Sequence, residues 1–245
     1  VFARFPRLTE LEHRAACDGA SEGEQANNWL LWQLADSAFP TGGFAHSGGL
    51  EAAWQHGELG NRAKLTVFME ASLSQLGHAS LPFVTAAYDE PDKFLELDRL
   101  CESFTTNHVA NRASRLQGQA LLASAQRIFG VAALQSIQES TGQQPACSHL
   151  APVFGVVMRS LGIQREPAIR LFFFIHLRGL VASAVRLGIA GPLEAQTLQH
   201  RLGPRAEAIM ARCRNLSIDE IAQTAPLLEL WQGAQDRLYS RLFQS

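Results

Sequence analysis

Between Arg62 and Leu76 the apolar side chains Leu65, Phe68, Met69, Leu73 and Leu76 recur every three or four positions. That spacing lines one face of a helix. A second run follows around Pro82, from His78 to Tyr88. Asp89-Glu90-Pro91 opens another, with Phe94, Leu95, Leu97, Leu100, Cys101 and Phe104 as its apolar face. After Asn107 a longer helix is predicted from Val109 to Phe129. A short one is predicted over Ala132 to Glu139, stopped by Thr141-Gly142, then a small-residue helix from His149 to Leu161. Two more are expected near the end, Leu193 to Arg212 and Pro226 to Leu242. No stretch sustains the strict alternation of a half-buried strand. The predicted fold class is all-α, a single-domain bundle of roughly ten helices.

Two segments stand apart from this rhythm. Glu166 to Leu187 is apolar nearly all round, from Leu171-Phe172-Phe173-Phe174-Ile175 to Val185. A helix without a polar face belongs at the centre of a bundle or at a subunit interface. The one candidate membrane span, Leu171 to Ala190, is broken by His176, Arg178 and Arg186, and such groups are costly in lipid. The expectation is a buried helix. The other segment is the loop Asp36 to Glu51, which carries Pro40, Gly42, Gly43, Gly48 and Gly49 together with Phe39 and Phe44. A short apolar helix containing Trp29, Leu30, Leu31, Trp32 and Leu34 precedes it. A second helix is predicted to start near Ser47 as N-cap, with Glu51 in its first turn, and to end at Gly57. Glycines allow positive φ or close backbone approach, and the aromatics need burial or a partner. The loop is therefore read as shaped: a ligand cradle, a docking surface or a structural turn.

Residues 1–25 are polar and irregular and read as a flexible arm; residues 26–245 form the predicted domain. Val1 to Leu11 carries Arg4, Pro6, Arg7 and Glu10 and has no apolar core of a secretory signal. Hydrophobic residues make up 47%, enough for a real core, whereas charged residues are only 18%, which hints that a partner covers some surface. A formal net charge of −2 gives no electrostatic reason to bind nucleic acid or acidic membrane. Cys17, Cys101, Cys147 and Cys213 are scattered, as free thiols in a reducing compartment are.

Candidate chemistry is sparse. The glycine pairs invite a phosphate, but a P-loop needs Lys-Ser/Thr after its last glycine and a strand before it. Here Leu50-Glu51 follows, and Glu51 would repel the ligand. The eight histidines form no HxxxH or HExxH pair. Cys147-Ser148-His149 is the one close Cys/His pair, and two ligands do not make a closed metal site. His176 reads as a hydrogen-bonded core histidine. His46, inside the loop, is the histidine best placed for more, with a structural role favoured. Arg112 and Arg115 lie three apart, as in a surface pair or a contact to a carboxylate. There is no G-x-S-x-G elbow and no paired-aspartate motif. No catalytic residue, metal site or cofactor is assigned.

Four segments nonetheless resemble one family. Leu34-Ala35-Asp36-Ser37-Ala38-Phe39-Pro40-Thr41-Gly42-Gly43-Phe44-Ala45-His46-Ser47-Gly48-Gly49-Leu50-Glu51 is similar to the N-terminal signature of the urease accessory protein F (UreF) family. Arg112 to Leu122 resembles its mid-chain helix, and Ser183 to Gln196 its late signature. Ala225-Pro226-Leu227-Leu228, followed by Tyr239-Ser240-Arg241-Leu242-Phe243-Gln244-Ser245, resembles its terminus. Gln235 departs from the histidine of many members, and the acidic arm before residue 25 is variable.

The resemblance implies an all-α, non-catalytic accessory protein of the cytosol that dimerises and acts in maturation of urease's nickel centre. It implies binding to UreD (also called UreH) and, through that complex, to the GTPase UreG and apo-urease. The C-terminal tail would order in the complex and share a UreG-facing surface with the loop. The candidate partner-binding residues are Phe44, His46, Ser47 and Glu51 in the loop and Tyr239, Arg241, Leu242 and Phe243 in the tail. Gly42, Gly43, Gly48 and Gly49 would set the loop's shape. Ordering costs entropy, so the tail is expected to be mobile alone; the rival reading packs Leu242 and Phe243 on the bundle. Two alternatives to a scaffold remain: a regulator of UreG's GTPase, and an unrecognised all-α enzyme.

Overall fold

The computed structural model describes residues 22–131 and 146–245, with side chains from Asn28 onward. Most of the expected arm, 1–21, and the expected helix Ala132 to Glu139 lie outside the described residues. The described residues form helices α1 (Glu22–Ala35), α2 (Leu50–Gln55), α3 (Arg62–Gln75), α4 (Leu81–Asp89) and α5 (Phe94–Phe104). Then come α6 (His108–Phe129), α7 (Leu150–Ser160), α8 (Arg165–Arg186), α9 (Pro192–Cys213) and α10 (Pro226–Ala234). The all-α, single-domain architecture is as the periodicity predicts.

Local chemistry accounts for the best-predicted boundaries. Asn61 caps α3 by accepting the Lys64 amide at 2.9 Å, and Asn107 caps α6 by accepting those of Val109 and Ala110. Each cap is worth about 1 kcal/mol. Two runs read as separate are continuous. A five-residue π-helical turn, Leu76–Ser80, joins α3 to α4 without a break. Pro82 lies just after this turn, and the His78 carbonyl that its missing N–H leaves free accepts the Ala222 amide at 3.2 Å instead.

The core is one cluster fed by every helix from α1 to α10 except the masked parts, with Leu50, Leu73, Phe83, Met158 and Ile169 fully enclosed. α7 is gripped between α4 and α6, and α8 lies along α9 and touches α1, α2, α3, α4 and α7. Among the described residues α8 is one helix long and apolar enough to cross a bilayer. Its three interrupting polar side chains each have a partner inside the bundle. The His176 imidazole lies 2.8 Å from Ser72 Oγ, and burial pushes it down to about pKa 4. Arg178 donates to the Ala35 carbonyl and Arg186 to that of Phe44. The helix is thus stitched to the end of α1 and to the glycine loop.

Two expectations need correcting. α2 starts at Leu50, capped by Gly49 rather than Ser47; the Ser47 hydroxyl instead accepts the Glu51 amide at 3.4 Å. The last helix stops at Ala234, eight residues before Leu242. A single 3-10 turn, Gln235–Arg237, follows, and the remaining chain is irregular. The reason is competition: the amides of Leu242 and Phe243 are taken by a side chain of the loop rather than by carbonyls one turn back.

Candidate functional site

The tail 238–245 lies on the glycine loop. Gln244 N donates to the Ala45 carbonyl at 2.8 Å and Ser47 N to the Ser245 carbonyl at 2.5 Å, a short β-like exchange without a strand. The His46 Nδ1 is 2.5 Å from Ser245 Oγ. Burial, with a lesser push from the Arg112 charge, lowers the His46 pKa to about 4, so the ring is neutral at physiological pH.

Glu51 holds the two segments together. Its side chain sits in the first turn of α2 and is 1% exposed. Oε1 accepts the Leu242 amide at 2.6 Å, and Oε2 accepts the Phe243 amide at 3.1 Å and Gln235 Nε2 at 2.6 Å. Gln55 adds a weaker bond at 3.4 Å and also donates to the Ser240 carbonyl at 2.9 Å. Several N–H donors converging on one buried carboxylate replace the water it lost. Gln235 is also fully buried, and its Oε1 is without a partner among the described residues.

Arg186 closes the assembly from α8. Its guanidinium stacks 4.3 Å from the centre of the Phe243 ring while donating to the Phe44 carbonyl. Phe243 is buried, an enclosure worth about 1.5–3 kcal/mol. On the rim, Asp236 takes both arms of Arg112 at 2.8 and 3.1 Å, Arg241 at 3.0 Å and His108 at 3.3 Å. The Arg112 guanidinium foremost, by hydrogen bond and by charge, holds its carboxyl below the usual aspartate range. The pairs are solvent-facing and set geometry more than stability.

Gly42, Gly48 and Gly49 all take left-handed backbone, and Gly43 opens a 3-10 turn. Gly49 is the most constrained. At φ 87° it sits where a Cβ would come 3.0 Å from the Gln232 amide nitrogen on α10.

The candidate residues therefore divide. Glu51, Ser47 and Phe243 are buried inside the loop–tail contact, and His46 is half-buried there. Phe44, Tyr239 and Leu242 are exposed at 74%, 106% and 51%, and Arg241 is on the rim. Instead of the expected free tail, the structure presents a docked one, with Phe243 packed on the bundle and Leu242 left outside. The residues missed from the sequence are Gln55, Arg112, Arg186, Gln235 and Asp236 as members of this contact. Only the identity of Gln235 as a departure, and the loose carboxylate expectation for Arg112, pointed toward it.

The depressions on the described surface are shallow. One of about 170 Å³ lies between α3 and α9, with Arg62, Glu70, Glu194, Arg201 and Arg205 among its walls. Four of its charged side chains are taken up in the pairs Arg62–Glu194 and Arg205–Glu70.

Among the described residues, fold and surface thus define a helical protein that carries a loop–tail platform tied together by hydrogen bonds. The chain belongs to the UreF family of urease accessory proteins. The UreF family model matches residues 59–203. The chain is 38% identical over 228 residues to urease accessory protein F of Oryza sativa subsp. indica, covering 91% of this chain and 87% of that one. It is 38% identical to the Arabidopsis thaliana protein of the same name over 229 residues, covering 92% and 95%. It is 31% identical over 236 residues to an uncharacterised UreF-like urease accessory protein of Schizosaccharomyces pombe, covering 90% and 98%.

Proposed function

We propose that the protein is a non-catalytic scaffold of urease maturation that docks partners on the loop–tail platform. In this reading it works in the cytosol as a homodimer, binds UreD/UreH, and recruits the GTPase UreG to apo-urease for nickel insertion. The observation that carries it is the exposure of Phe44, Tyr239 and Leu242 on two segments that hydrogen bonds tie to each other. Large apolar side chains on a preorganised frame bind with a smaller ordering penalty, and interface hot spots have this composition.

Co-purification with UreD/UreH and then UreG tests it. Removing residues 240–245 is expected to abolish UreG recruitment and leave the helical fold; a truncated protein that still recruits UreG refutes the tail's role. The paired substitution Phe44→Ala with Leu242→Ala keeps the buried contacts and is expected to weaken recruitment alone.

A regulatory variant of this reading has one observation in its favour. Arg241 shares Asp236 with Arg112, so Asp236 stays paired if Arg241 swings to a partner's phosphate. UreG's GTP turnover, measured with wild type and Arg241→Ala, decides it: an unchanged rate in a complex that still forms removes the regulatory role.

A further inference from the structure

Away from the platform, the loop before α7 brings three metal-ligand types together. Cys147 and His149 are two apart in sequence, and α5 supplies Glu102. Their ligand atoms all lie within 4.8 Å of one another, and His149 Nε2 is 2.7 Å from Glu102 Oε2. His149 is fully buried, while Glu102 and Cys147 are part-exposed, so the cluster opens to solvent on one side.

The backbone that presents these groups is over-determined. Ser148, between the two ligands, has φ 59°, the one residue other than glycine with left-handed backbone among the described residues. That conformation is strained for an ordinary side chain and persists only where surroundings enforce it. Three features enforce it here. The fully buried Asp98 carboxylate accepts the Ser148 and His149 amides at 2.8 and 2.7 Å. Gly118 on α6 leaves room for the loop, since a Cβ there would stand 2.0 Å from the Ser148 carbonyl oxygen. The Ser114 hydroxyl accepts the Leu150 amide at 3.1 Å and lies 3.1 Å from His149 Nδ1.

We propose that Glu102, Cys147 and His149 form a site for a divalent transition-metal ion of borderline softness. One thiolate, one imidazole and one carboxylate are the donors such ions take, at bonds of about 2.0–2.3 Å. Three protein ligands leave a fourth position for water or an exchanging ligand. The supporting contacts suit the bound form. With Nε2 on the metal, the ring proton sits on Nδ1 and donates to Ser114 Oγ, the outer contact that fixes a ligating histidine. Asn111 Nδ2 donates to Glu102 Oε2 at 3.1 Å and orients it. Arg115 stands 3.9 Å from the other oxygen, Oε1, and so leaves Oε2 to the ion. On binding, the Cys147 S–H bond breaks as the sulfur–metal bond forms, and the proton leaves to solvent. Formal charges agree: thiolate, Glu102 and Asp98 against Arg115 leave two negative charges for one divalent ion. This site is independent of the platform reading.

Cobalt(II) titration of the reduced full-length chain tests the proposal. One ion per chain is expected, with a thiolate-to-cobalt charge-transfer band. Cys147→Ser is expected to abolish the band, and Glu102→Gln to weaken binding by more than about tenfold, both with unchanged far-ultraviolet circular dichroism. Cobalt should also slow alkylation of Cys147 in wild type, read by mass spectrometry without any variant. No band in wild type overturns the site, leaving only a hydrogen-bonded cluster. A band that survives Cys147→Ser, or affinity unaffected by Glu102→Gln, overturns it equally.

Discussion

The Glu51 carboxylate receives the backbone amide of Leu242 at 2.6 Å across 191 positions of sequence. The glycine loop and the tail are therefore one structural unit. Glu51→Gln puts an NH2 group where an oxygen now faces N–H donors. The tail is expected to detach, with a loss of about 1–3 kcal/mol. Hydrogen exchange should show lost protection confined to 242–245 and the loop, with the other helices unchanged.

Acid should loosen the same contact. His46 is neutral in the fold, with its pKa lowered from 6.5 to about 4. Between those values the unfolded chain binds the proton and the folded chain does not, so stability falls as pH drops through that window. His176 contributes in the same direction over the same range. The melting temperature should therefore decline from pH 6.5 to 4, and the slope should be shallower in His46→Gln. Calorimetry across that range checks both.

Gln235→His is expected to be neutral or stabilising. The amide oxygen has no partner among the described residues, and an unmet buried acceptor costs about 1–3 kcal/mol. An imidazole can keep a donor toward Glu51 without that oxygen. Denaturant unfolding of the two proteins measures the difference directly.

Gly49→Ala should be costly although it adds one methyl group. The backbone is left-handed at φ 87°, and the new carbon would meet the Gln232 amide at 3.0 Å. Strain and crowding together should cost about 1–3 kcal/mol. A lowered melting temperature with loosened α10 in hydrogen exchange is the expected signature.

Sequence periodicity captured what is local. The starts of α3 and α6 follow from Asn61, Asn107 and the apolar spacing behind them. α8 was legible as a central helix, and the reason its polar residues are tolerated was not, because Ser72, the Ala35 carbonyl and the Phe44 carbonyl are over 100 positions away. The end of α10 was misjudged because Glu51 competes for amides that the helical pattern alone would assign inward. The loop glycines and aromatics marked a shaped segment, but not that its lock is the tail. Glu102 has the same history: 45 positions of chain separate it from Cys147, so only the fold makes them neighbours.

The stitch between Ser47 and Ser245 also fixes an order of events during synthesis. The loop leaves the ribosome nearly two hundred residues before the segment that completes it. Until Leu242 and Phe243 emerge, Glu51 has neither of its backbone donors and Arg186 has no ring to stack on. Without residues 242–245 the helices would stand and the platform would be lost, so this surface forms only after every helix beneath it has been made.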